Sequence, residues 1–181
     1  MTKRITIRNG PNLNPPGEWE PEIYGATTLA DIESACRSLA QDLGVTLVFR
    51  QTNHDGVMVD WIQEARGAAD ALSINPAGLS FQSVPVLDAI RMMQAPVIEL
   101  HISNIHARDA AHRDSIISVA ATAVICGLGA AGYPVAMLAA ARLAGLDARA
   151  LPGGLSALSW RHLPSRAAHA SRGVAIGAPS R

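Results

Sequence analysis

What most constrains this chain is an alternation of short apolar or β-branched runs with amphipathic stretches. RITIRN (4–9), VTLVFRQT (45–52), ALSINP (71–76), PVIELHIS (96–103) and ATAVICGLG (121–129) have the length and residue types of strands. Between the first two, TLADIESACRSLAQDLG (28–44) repeats apolar residues at Leu29, Ile32, Ala35, Leu39 and Leu43 behind Thr28, a helical period with an N-cap. DGVMVDWIQEARG (55–67), SVPVLDAIRMMQ (83–94, capped by Ser83) and YPVAMLAAARLAG (133–145) read as three more helices. Strands alternating with helices of this length predict an α/β protein with a parallel sheet covered on both faces. In such sheets function gathers in the loops after the carboxyl ends of the strands. That rule selects Asn9 to Tyr24, Gln51 to Asp55, Asn75 to Ser83 and His101 to Arg113.

With 181 residues, 49% hydrophobic but only 4% aromatic, the chain can build one full core, and an aliphatic one. Zero net charge without a basic stripe argues against nucleic acid or an anionic membrane as partner. No run of about 18 apolar residues could span a bilayer, and MTKRITIRNG is not backed by a signal-peptide core. Cys36 and Cys126, in apolar surroundings without CxxC spacing, are expected to be reduced core thiols of a cytoplasmic protein. Two regions are expected: a patterned domain over 1–148, and a basic Pro/Gly/Ser/Ala-rich tail over 149–181. The tail is either flexible or a docking segment that packs Leu155, Leu158 and Trp160.

Several chemistries can be weighed. A Schiff base needs a buried lysine, and the only lysine, Lys3, begins the first strand, opposite the functional loops. GLGAAG (127–132) matches GxGxxG with Asp147 twenty residues on. No further strand is patterned to carry that acid, so the glycines read as a tight turn and close helix packing. His101, His106 and His112, near Asp109, are spaced by five and six and share no helix face, which disfavours a metal site. Acid–base chemistry remains. Alternation along the fourth strand puts Glu99, His101 and Ser103 on one side. There the carboxylate could fix or charge a histidine acting as general acid. The same two residues could equally be a satisfied buried pair.

NGPNLN (9–14), EPEIYG (20–25), INPAG (74–78), SVPVLDAI (83–90) and HISNIHARD (101–109) together resemble the type II dehydroquinases, 3-dehydroquinate dehydratases of the shikimate and quinate pathways. The likeness runs in order over roughly residues 4 to 145. It implies a flavodoxin-like three-layer fold with a five-stranded parallel sheet, no metal or cofactor, and a homo-oligomer assembled from trimers into dodecamers. The substrate would be a small cyclic hydroxy-keto carboxylate, losing water through an enolate. Tyr24 would be the base, activated by arginines that include Arg108. A free tyrosine titrates near 10, and a shift of two units takes about 3 kcal/mol of differential stabilisation. Asn12 would hold a water against the enolate, and His101, oriented by Glu99, would protonate the departing hydroxyl. Ser103 and the backbone of Ile102 would bind the carboxylate, Asn75 would hold the ring, and Asp88 would reach a neighbouring subunit's site.

The pattern breaks at three positions. Where the family carries a lid arginine, this chain has Trp19; where it carries a histidine and an arginine against the ring hydroxyls, this chain has Phe81 and His112. Arg113 could compensate only by a local shift. Loss of hydroxyl-binding donors suggests a hydroxyl absent or placed elsewhere. Three readings follow: dehydration of 3-dehydroquinate, a related lyase or isomerase on a less polar cyclic carboxylate, or a weakly active binding or assembly homologue.

Overall fold

The computed structural model describes residues 2–14 and 27–146. Trp19, Tyr24, Asp147 and the expected tail lie outside the described residues. The strands are β1 (Arg4–Asn9), β2 (Thr46–Gln51), β3 (Ala71–Asn75), β4 (Val97–His101) and β5 (Ala123–Cys126). The helices are α1 (Leu29–Leu43), α2 (Asp55–Ala65), α3 (Val84–Arg91) and α4 (Gly132–Leu143). Every pairing is parallel and the strand order is β2-β1-β3-β4-β5, the doubly wound flavodoxin-like arrangement.

Two cores sandwich the sheet. Ile5, Ile7, Ile98 and Leu100 meet α1 and α4 on one face, while Leu72, Ile74 and Val97 meet α2 and α3 on the other. Each fully buried aliphatic side chain is worth about 1.5–3 kcal/mol relative to exposure, and these cores hold the strand ends in register. Helix α1 begins where the sequence places it. Thr28 Oγ1 accepts from Asp31 N–H while Asp31 accepts from the Thr28 backbone N–H, closing a capping box.

The GLGAAG segment is structural. Gly127 and Gly129 have φ of 82° and 59°. A Cβ on Gly132 would stand 2.9 Å from Leu100 Cδ1, so the glycine lets α4 approach β4. Among the described residues no strand follows β5 in the sheet. One expectation needs correcting: Cys36 is buried, but Cys126 is only half-buried, because β5 is an edge strand with no further strand beside it among the described residues.

Candidate active site

The carboxyl ends of β1, β3 and β4 open into a cleft of about 450 Å³. From the loops after β1 and β3 it takes Asn12, Asn75 and Phe81; from β4 and its loop it takes His101, Ile102, Ser103, Arg108 and His112. Glu99 stands behind His101, and Asp88 lies outside the cleft, on α3, with its carboxylate 3.4 Å from Arg91 and 62% of its side chain exposed. Arg113 does not line the cleft.

The floor is built by crossing loops. Gly10 N–H donates to the Asn75 carbonyl at 2.8 Å, and a Cβ on Gly10 would meet the Pro76 carbonyl oxygen at 2.2 Å. No other residue fits that crossing. Just beyond, Asn12 has φ of 63° and Ala77 φ of 50°. Asparagine tolerates the left-handed region, whereas for alanine it costs about 1–2 kcal/mol. Asn12 is steadied through its N–H, which donates to Asn53 Oδ1 at 3.0 Å.

Glu99 is fully buried, and His101 is 4% exposed with Nε2 2.7 Å from Glu99 Oε1. Ser115 Oγ donates to Oε1 and Ser118 Oγ to Oε2, both at 2.5 Å. Burial pushes the Glu99 carboxyl upward, but the bonds from His101, Ser115 and Ser118 outweigh it and hold the group below its ordinary range. The carboxylate is therefore ionised and fixes the imidazole ring. With Nε2 engaged, Nδ1 is the nitrogen left for a substrate.

A second buried chain supports Asn75. Its Nδ2 donates to Tyr133 Oη at 2.9 Å, and that hydroxyl donates to Asn9 Oδ1 at 2.7 Å; Asn9 Nδ2 in turn donates to the Arg50 carbonyl. Asn75 Oδ1 accepts from Ala77 N–H. Burial, first among the causes, pushes the Tyr133 hydroxyl far above the ordinary tyrosine value, so it stays protonated and able to donate. One Asn75 N–H remains for a ligand.

The other side of the cleft is looser. Phe81 lies 6.5 Å from the His101 ring at 25°, and meets His112 edge-on at 5.4 Å. His112 Nδ1 is 2.8 Å from Asp109 Oδ2, with 48% of the His112 side chain and 63% of the Asp109 side chain exposed. Gly127 and Gly129 N–H groups hold the His101 and Ile102 carbonyls, which anchors the backbone leading to Ser103.

The sequence reading missed Ser115, Ser118 and Tyr133. An Ser-x-x-Ser spacing in an otherwise apolar loop, and a tyrosine amid alanines on α4, are the only signals the chain offers for them.

Comparison with known proteins places residues 3–141 under a family model described as Dehydroquinase class II. The chain is 51% identical over 144 residues to a 3-dehydroquinate dehydratase of Phenylobacterium zucineum (strain HLK1), covering 80% of this chain and 99% of that one. It is 49% identical over 147 residues to a 3-dehydroquinate dehydratase of Caulobacter sp. (strain K31), covering 81% and 100%. Among solved structures, a type II dehydroquinase from Propionibacterium acnes superposes with a TM-score of 0.74 at 39% identity, covering 80% and 97%.

Proposed function

The chain belongs to the class II dehydroquinase family, and we propose that it is a hydro-lyase that eliminates water from 3-dehydroquinate to give 3-dehydroshikimate. The observation that carries the mechanism is the buried Glu99–His101 pair opening on a polar cleft. Tyr24 removes the proton alpha to the ketone, helped by Arg108, and the electron pair moves onto oxygen as an enolate. Asn12 holds a water against that oxygen. As the enolate collapses the carbon–oxygen bond breaks, and His101 Nδ1 delivers the proton that turns the departing hydroxyl into water. Ser103 and the Ile102 backbone hold the substrate carboxylate, and the free Asn75 N–H orients the ring. No metal or cofactor takes part. Asp88, on an exposed helix position, completes the site of a neighbouring subunit in a trimer-based homo-oligomer of the cytoplasm.

Adding 3-dehydroquinate to the full chain should raise enone absorbance equally with and without a chelator. A folded protein without turnover would reject this substrate. Light scattering should find an oligomer at micromolar concentration; a monomer would reject the Asp88 role.

One observation favours a second reading. Phe81 stacks beside His101 and packs edge-on against His112, while His112 is occupied by Asp109, so this wall offers a ring fewer donors. A less polar cyclic carboxylate would suit it, and a screen of such acids tests this directly.

A further inference from the structure

A second concave site lies away from the catalytic cleft and shares no lining residue with it. The register of β1 and β2 sets Arg8 beside Arg50 on the α2 face of the sheet. Trp61 of α2 covers both, its ring centroid 5.6 Å from the Arg8 guanidinium carbon and 5.5 Å from that of Arg50. Arg50 has a carboxylate partner, Glu64, at 2.6 Å. Arg8 makes no direct ion pair among the described residues, and Glu64 acts on it only as a neighbouring charge. It is 2% exposed, its Nε lacks any hydrogen-bond partner, and its Nη1 reaches only the Ile7 carbonyl at 3.4 Å.

Stacking on an indole stabilises a guanidinium, but it leaves the in-plane N–H groups unsatisfied. A buried cation with open donors is costly unless an anion meets it. Burial, then the neighbouring Arg50, lowers the Arg8 pKa to about 10 against a smaller opposing pull from Glu64, which leaves it charged at neutral pH. Arg4, Thr6, Arg8 and Arg50 border a recess of about 130 Å³. At about 30 Å³ per water that is room for roughly four waters, or for one small oxyanion in their place. Glu64 is the one carboxylate in the lining; it pairs with Arg50 at 2.6 Å, and its charge also offsets part of the cost of burying Arg8.

We propose that this recess is a binding site for an oxyanion, a carboxylate or phosphate group held by the Arg8 and Arg50 guanidiniums with Arg4 beside them. The planar guanidiniums of Arg8 and Arg50 each carry several N–H donors of the kind that suit such groups. Two sources carry that chemistry: a free small anion, or an acidic side chain of a second copy.

Trp61 provides a local readout. In the full chain with Trp19→Phe and Trp160→Phe it is the sole tryptophan. Titrating inorganic phosphate against chloride at constant ionic strength should change its emission saturably. Arg8→Met, which keeps an apolar stem, should abolish the response, and Ser103→Ala, in the catalytic cleft, should leave it intact. A midpoint independent of protein concentration assigns a free anion. Emission that in phosphate-free buffer already shifts on dilution, in step with loss of mass by light scattering and only when Arg8 is present, assigns a second copy's carboxylate. Emission indifferent to both phosphate and dilution, or an Arg8→Met protein that responds like its parent, overturns the proposal. Should Arg8→Met not fold, Arg8→Lys serves instead: it must weaken the response several-fold, and an unchanged midpoint overturns the site.

Discussion

The two sides of the cleft are held by different physics. On the strand side Glu99, His101 and Asn75 are buried, and each has side-chain partners that leave it one orientation. On the loop side Asp109 and His112 meet in water, where the pair is screened and free to rearrange. The difference teaches where preorganisation resides. In the proposed reaction the groups assigned a charge or a proton are locked by buried networks, and the groups assigned to the periphery of the substrate are left adjustable.

The sharpest way to break this contrast is to remove the proposed general acid. His101→Ala should lower kcat by about 10²–10⁴-fold with little change in KM, since its contribution arises in the transition state. Steady-state kinetics on 3-dehydroquinate would measure it, and an unchanged kcat would place the chemistry elsewhere.

The Ser115→Ala, Ser118→Ala double change should come next. Each lost donor to the buried carboxylate costs about 1–3 kcal/mol. The sign with pH follows from the direction at Glu99. Its folded value is depressed, so its contribution is present above the ordinary carboxylate range and fades as pH falls through the lower folded value. Without the serines only His101 offsets burial, and the acid unfolding midpoint, followed by circular dichroism, should move to higher pH. An unmoved midpoint would mean that the serines do not hold the carboxylate.

Tyr133→Phe keeps the ring and deletes the hydroxyl between Asn9 and Asn75. Stability should fall by about 1–3 kcal/mol in denaturant unfolding. KM should rise more than kcat falls, because Asn75 loses its orientation rather than a chemical role. A fall in kcat alone would contradict that assignment.

The smallest effects belong to the loop side. Asp109→Asn should leave the melting temperature within scatter, and a large drop would erase the distinction between the two sides. Trp19→Arg combined with Phe81→His and His112→Arg should raise kcat/KM for 3-dehydroquinate several-fold. If that triple change does nothing and turnover is already efficient, the apolar wall has no bearing on specificity.

Much of this was legible in the sequence because it depends on neighbours along the chain. Thr28 and Ser83 cap the helices they precede, and alternation alone set Glu99 and His101 on one side of β4. What alternation cannot reveal is a partner from another element. Ser115 and Ser118 come from 16 and 19 residues beyond Glu99, and Tyr133 from 58 beyond Asn75. Only the packing of β5 and α4 against the earlier strands brings them in. Cys126 departs from the expected burial for a related reason: its neighbours in sequence are apolar, but edge position, which follows from strand order, decides its exposure.

The crossing of Gly10 under Pro76 bears on how this enzyme could be recombined with its relatives. A backbone contact that excludes even a methyl group makes residues 10–14 and 76–81 a single inheritable unit, although more than sixty positions separate them. A chimera with one breakpoint between these loops must join two parents whose chains follow the same path there to within a fraction of an ångström. Libraries that keep both loops from one parent should yield folded clones far more often than libraries that split them.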